Sequence, residues 1–263
     1  MRKFSVLIIV VLLSFTKCSK EIYTENLCSS PTLISQVNSG DLAIHGLTYN
    51  SNCLISESTE PFKYRKFTYD AQNILQKVEV AYSFNAFSCV MIPGQSLESD
   101  PRKASISEYS LFEYNNDLKI SKKLNYFINN GNSKLTSFQT YDYKENSIIR
   151  LSTFNAQGSL IEYHDYSYDN NENILKDDQY EFNSVLKHTN TKTYEYDNKI
   201  NPYHVFVYEG IPGKYTNINN IIKETVFLYN GTSQSQNTTI NEYSYNSLDY
   251  PVKINGLVCI YGK

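Results

Sequence analysis

The chain has 263 residues, a formal net charge of -3 and a sequence pI near 5.9, with no Lys/Arg-rich run. That balance argues against a phosphate-tracking surface, so nucleic acid is not an expected partner. The 24 Tyr and 13 Phe, against no Trp, 10 Gly and 7 Pro, suit pleated surfaces and leave little room for helices.

At the N-terminus, Arg2 and Lys3 precede an almost unbroken apolar run from Phe4 to Leu13, followed by Ser14-Phe15-Thr16-Lys17-Cys18. A membrane-spanning helix needs about 18 apolar residues or more, so this short run reads as a secretory signal over residues 1–17. Cys18 follows at once and leads into the polar Ser19-Lys20-Glu21. The segment resembles a bacterial lipoprotein signal, with Lys17 standing where a small residue is usual. The resemblance implies a lipidated Cys18, a tether over residues 18–30, and the membrane as a partner through that anchor. The expected location is the bacterial envelope, as an outer-membrane lipoprotein on the periplasmic or the surface face. Ordinary cleavage and an uncleaved N-terminal anchor are the alternatives.

Four further cysteines remain: Cys28, Cys53, Cys89 and Cys259. In an oxidising compartment an even number favours two disulfides, with three connectivities open. Pairing Cys28 with Cys53 and Cys89 with Cys259 is favoured, and the second bridge would draw early and late strands together. No close pair offers a zinc site, and neither metal nor cofactor is expected.

Residues 31–263 read as one all-β domain. From Val78 to Phe84, Val78, Val80, Tyr82 and Phe84 alternate with Glu79, Ala81 and Ser83, the pattern of a half-buried strand. Aromatic residues two apart recur as Phe67/Tyr69, Phe112/Tyr114, Tyr141/Tyr143, Tyr166/Tyr168, Tyr180/Phe182, Tyr194/Tyr196, Phe227/Tyr229 and Tyr243/Tyr245. All but Tyr141/Tyr143, which Lys144 follows, are followed directly by Asp or Asn. Residues two apart share a face of a strand, and the Asx side chain bonds back to its own backbone to start a turn. Each unit is therefore a strand end, a turn and a returning strand. Weaker copies stand at Leu47-Thr48-Tyr49-Asn50 and Ser152-Thr153-Phe154-Asn155. The irregular spacing predicts an antiparallel meander of about 14–17 strands, as a curled sheet or open barrel that manages its edges. Irregular excursions over the sheet are expected at Ile92–Arg102, Gly210–Asn220 and Gly231–Asn237.

The Tyr-x-Tyr-Asp units resemble the YD repeats of Rhs-type proteins, and still more the short YD-like repeats of bacterial surface lipoproteins of unknown function. The resemblance covers about residues 47–261, and Glu242-Tyr243-Ser244-Tyr245-Asn246-Ser247-Leu248-Asp249-Tyr250-Pro251-Val252-Lys253 is its closest fragment. The Gly and Arg common in Rhs turns are missing here, as at Asn73 and Asn173. The resemblance implies a hairpin-repeat fold and no reaction.

Catalytic patterns are sparse. His45, His164, His188 and His204 show no metal-ligand spacing, and His164 and Asp165 are strand neighbours pointing to opposite faces. Neither GxSxG nor a phosphate loop occurs. Asp177 and Asp178 also face opposite ways. Asp169, Asn171 and Asn173 mimic the start of a calcium loop, but Ile174 replaces its Gly and Tyr180 its final Glu, so a plain Asx turn accounts for them. The expected function is a non-catalytic envelope lipoprotein serving as scaffold or binding module. The main alternative is a glycan- or protein-binding adhesin with an exposed tyrosine face formed by His164, Tyr166, Tyr168, Tyr194 and Tyr196. A hydrolase with a site assembled from loops ranks third.

Overall fold

The computed structural model describes residues 33–83, 100–204, 209–231 and 233–262. The signal, the tether, Cys18, Cys28, Cys89 and most of Ile92–Arg102 lie outside the described residues. The first run of strands is β1 (Ile34–Ser39), β2 (Leu42–Tyr49), β3 (Ile55–Glu60), β4 (Lys63–Tyr69) and β5 (Leu75–Tyr82). The second is β6 (Ile106–Tyr114), β7 (Ile120–Asn129), β8 (Asn132–Lys144), β9 (Ser147–Asn155), β10 (Leu160–Tyr168), β11 (Ile174–Asn183) and β12 (Val185–Ile200). The third is β13 (Asn219–Asn230), β14 (Ser233–Ile240), β15 (Tyr243–Tyr245), β16 (Pro251–Ile254) and β17 (Leu257–Tyr261).

These 17 strands form one antiparallel sheet. Ladders join sequence neighbours from β1 through β14 and from β15 through β17, and β1 pairs with β17. Among the described residues no ladder joins β14 to β15, so the sheet curls round without closing. The expected all-β meander and strand number hold. The segment Gly231–Asn237, expected as a loop, instead begins β14, whose ladder with β13 runs from Asn230 opposite Ser233 to Lys223 opposite Ile240. Its Ser, Gln and Asn are exposed edge-strand residues.

The expected Cys89–Cys259 bridge is corrected. Cys259 is a free, buried thiol, raised by burial to about 11. What holds the early and late strands together is the β1–β17 ladder, which sets Val37 opposite Cys259. Cys53 is disulfide-bonded, with its partner outside the described residues.

One turn design recurs six times among the described residues, at Asn50, Asp70, Asn115, Asn155, Asp169 and Asn246. In each, the Asx Oδ1 accepts the backbone N–H groups two and four residues on, at 2.8–3.1 Å. The residue three positions on takes the left-handed conformation: Cys53, Asn73, Leu118, Gly158, Glu172 and Asp249, with φ between 57° and 86°. That is a type I turn closed by an αL residue, where glycine is the strain-free choice. Lys144, which lacks the Asx, is followed instead by a two-residue turn at Glu145-Asn146. Asn130-Gly131 and Asn255-Gly256 make the tight turns that this dipeptide favours, both residues having positive φ.

The tyrosine before most Asx turns has a second job. Its hydroxyl donates to a carbonyl at the start of the strand on its other side: Tyr49 to Ile34, Tyr69 to Ile55, Tyr114 to Leu75 and Tyr168 to Ile148; Tyr143 before Lys144 and Tyr196 before Asp197 do the same to Ile120 and Ile174, all at 2.5–2.9 Å. Those acceptor residues are buried, and with Val37, Leu47, Phe67, Val78, Phe112, Tyr141 and Tyr166 they form one interior cluster.

The eight doublets divide by strand direction. Those on β4, β6, β8, β10 and β12 turn inward to the cluster, and Tyr243 of β15 lines the interior. Tyr180/Phe182 and Phe227/Tyr229 end strands running the opposite way, and their side chains face outward. There Tyr163, Tyr180, His188 and Tyr229 stack in a row across β10–β13, with ring centroids 4.7, 4.6 and 4.4 Å apart. The remaining outer wall mixes stacked rings, Tyr109 on Tyr126 and Phe138 on Phe154 with centroids 4.7 and 5.0 Å apart, with ion pairs: Lys77–Glu79, Arg150–Asp165 and Lys176–Asp178 at 2.6 Å and Lys223–Glu195 at 2.7 Å.

Candidate binding cavity at the open seam

A curl of 17 strands is too wide for its side chains alone to fill, since about eight strands is the size at which they do. Chain from the β12–β13 connection fills the gap. Asn201 folds this segment on itself: its Nδ2 donates to the carbonyls of Lys214 at 2.7 Å and Asn217 at 2.8 Å, and its Oδ1 accepts the Tyr203 N–H. Asn217 Oδ1 in turn accepts the backbone N–H of Ile174, tying the segment to β11 at 3.0 Å. Glu209 meets Arg65 at 3.1 Å, and its carbonyl accepts Lys123 Nζ at 3.3 Å. Gly210 is pressed so closely on Tyr141 that a Cβ there would lie 2.4 Å from the tyrosine oxygen, and its φ of 77° also favours glycine. The irregular excursion expected over Gly210–Asn220 is present and lies on the inner side of the curl as a plug, except that Asn219 and Asn220 already open β13.

Where the ladder stops, between β13 on one side and β15–β17 with β1 on the other, a cavity of about 350 Å³ remains beneath the plug. Val37, Ile221, Ile254 and Leu257 give it apolar walls, Tyr203 and Tyr243 aromatic ones, and Lys214 and Glu224 its two ionised groups. The neighbouring asparagines are already committed: Asn219 and Asn220 donate to backbone carbonyls of Lys199 and Ile200, and Asn241 to Ile221. Lys214 Nζ sits 3.6 Å from the centre of the Tyr203 ring, a cation–π contact. Neither Lys214 nor Glu224 forms a side-chain ion pair or hydrogen bond among the described residues. The Lys214 side chain is solvent-exposed although protein surrounds it, as befits a wetted cavity. Removal from bulk water lowers Lys214 to about 8; Arg65 acts in the same direction, while Glu60 and Cys259 oppose.

Beyond the cavity the inner wall is polar. His45 Nε2 lies 2.9 Å from Ser58 Oγ, and burial first, then Lys214, pulls His45 down to about 4. Arg65 bridges Glu60 and Glu209. Lys123 is buried, and that burial lowers its pKa against the opposing charge of Glu209.

His164, Tyr166, Tyr168, Tyr194 and Tyr196 do share a face, but it is the inner wall of the curl, and Tyr166 is buried in the cluster. The exposed tyrosine face expected of them is therefore corrected: their strands run toward the Asx-turn end, where the tyrosine hydroxyls are used to tie strands together. His164 does gain an acidic partner, Asp177 on the adjacent strand, at 2.7 Å from Nδ1. No hydroxyl or thiol of the described residues hydrogen-bonds its Nε2. At Asp169 both carboxylate oxygens are occupied by backbone and side-chain donors of Asn171 and Asn173.

No family model matches the sequence, and no curated protein matches it. Among solved structures, the chain is similar to a porin-like protein from Bacteroides vulgatus ATCC 8482, at 12% identity and a TM-score of 0.51, over 88% of this chain and 98% of that one. A porin-like protein from Bacteroides uniformis ATCC 8492 aligns at 13% identity and a TM-score of 0.45, over 84% of this chain and 88% of that one. The first similarity establishes a shared curled-sheet fold.

Proposed function

We propose that this protein is a non-catalytic lipoprotein of the bacterial envelope, anchored through Cys18, whose curled sheet is a binding scaffold standing in water beside the membrane. The observation that carries this is the outer wall. A membrane-inserted barrel presents an apolar band to lipid, and charge near the bilayer midplane costs roughly 2–4 kcal/mol per Arg or Lys. Here Arg150, Asp165, Lys176 and Asp178 stand outward on adjacent strands as ion pairs. The fold shared with a porin-like protein is compatible with an envelope location, while the plug across the interior disfavours a conduit. Attachment then rests on the N-terminal segment, and the polar inner wall with its seam cavity is the natural seat for a ligand.

Detergent-phase partitioning and alkaline carbonate extraction of membranes test this. The full chain is expected in the detergent phase, and Cys18→Ala is expected to release it to the aqueous phase in folded form. A Cys18→Ala protein that still resists carbonate, with residues 1–17 shown by N-terminal sequencing to have been removed, would mean that the wall itself is inserted, and would overturn the proposal.

A further inference from the structure

We infer that the seam cavity binds a small zwitterion, of the size of an amino acid or dipeptide, with its carboxylate on Lys214 and its ammonium on Glu224. This rests on reading the sheet as a binding scaffold and adds the class of ligand.

Two opposite charges line one cavity of about 350 Å³, yet neither forms an ion pair or a side-chain hydrogen bond with the other or with any described residue; Lys214 rests only against the faces of the Tyr203 and Tyr215 rings. Opposite charges on separate walls of one cavity bounded by apolar side chains leave each without a counter-charge in contact. A protein tolerates this arrangement where a ligand supplies the missing partners, and a single ligand bearing both charges supplies both. The remaining lining narrows the chemistry further. The asparagine amides nearby already bond to backbone carbonyls, so few free donors are left for the hydroxyls of a sugar. Val37, Ile254 and Leu257 with the rings of Tyr203 and Tyr243 suit an apolar or aromatic side chain. The lowered affinity of Lys214 for its proton points the same way, because Glu60, the carboxylate that acts on it, is offset by Arg65, and an arriving carboxylate would restore the charged form.

The test is calorimetric titration of the lipid-free protein with L-phenylalanine and with the dipeptide Leu-Leu, alongside N-acetyl-L-phenylalanine, which lacks the ammonium, and phenethylamine, which lacks the carboxylate. One-site binding of at least one zwitterion is expected, weakened tenfold or more by Lys214→Met and separately by Glu224→Gln, with Lys214→Arg retaining most of it. N-acetyl-L-phenylalanine should be insensitive to Glu224→Gln, and phenethylamine insensitive to Lys214→Met. Because Lys214 belongs to the plug and Glu224 to β13, the second variant reports on the site even if the first loosens the plug. Absence of binding by both zwitterions, or affinity unchanged in both variants, would overturn the inference. The anchoring experiment with Cys18→Ala reads the scaffold proposal independently, so the two fail separately.

Discussion

The Tyr69 hydroxyl donates to the Ile55 carbonyl at 2.8 Å, joining β4 to β3 at the end of the sheet where no turn connects them. The Asx turn at Asp70 ties β4 to β5 on the other side, so one short segment secures both neighbours. Tyr69→Phe keeps the ring and removes only the donor. A loss of about 1 kcal/mol is expected, the net worth of one such hydrogen bond. Tyr126→Phe, whose ring stacks on Tyr109 on the outer face, is the comparison and should stay within about 0.5 kcal/mol. Urea midpoints at unchanged slope are the readout, and equal losses in the two variants would deny the tyrosine its tying role.

Leu118 occupies the αL position of its turn at φ 57°, largely exposed and with nothing to gain from its side chain. Leu118→Gly relieves that strain at the cost of a more flexible unfolded chain. A net gain of about 0.5–1 kcal/mol is expected by thermal or chemical denaturation. The reciprocal change, Gly158→Leu in the equivalent turn, should lose about 1 kcal/mol or more.

Gly210 is where the plug touches the wall. Gly210→Ala must displace either the backbone or the Tyr141 ring, so a loss of about 1–3 kcal/mol is expected. The same variant should open the segment around Glu209 to limited proteolysis while far-UV circular dichroism of the sheet is unchanged. Full protease resistance would show that the plug is not held at this point.

How much of this was legible in the chain follows from particular residues. The doublets and their Asx turns were, because both act over a few residues. Which face each doublet takes was not: period two says that Tyr180 and Phe182 share a face, whereas inward or outward depends on the direction of the strand, and so on counting every hairpin before it. Asn130-Gly131 and Asn255-Gly256 were readable tight-turn signals that the doublet pattern overshadowed. Pairing Cys89 with Cys259 supplied a covalent reason for chain closure where backbone pairing suffices. The plug escaped because Pro212 and Gly213 mark irregular chain without saying on which side of a sheet it lies. The His164–Asp177 pair depends on the β10–β11 register, which sets Tyr166 opposite Asp177 and brings the histidine alongside. Nothing in the sequence sets Lys214 or Glu224 apart from other charged residues.

His45 makes stability depend on pH. The unfolded chain takes up a proton near pH 6.5, while the folded chain, with His45 held to about 4, does not. Between those values the unfolded state binds more protons, so this contribution is complete above about pH 6.5 and is lost as the pH falls toward 4, by up to about 3 kcal/mol. Carboxylates titrate at the lower end of the window, so the informative quantity is the difference between wild type and His45→Gln, whose profile between pH 6.5 and 5 should be flatter. Parallel profiles would remove His45 as the source.

Among the described residues, every ladder except that of β1 with β17 joins strands that follow one another in sequence. Such a molecule can be assembled in the order in which it is threaded. As the chain emerges, each hairpin can form beside the one already folded, and a tyrosine such as Tyr69, Tyr114 or Tyr168 ties it there before the next arrives. The entropy of bringing distant segments together is concentrated in one late event, the meeting of β17 with β1. A truncation that removes Leu257–Tyr261 should therefore leave most hairpins formed while leaving β1 without one partner, an arrangement in which folding can begin before the C-terminus is available.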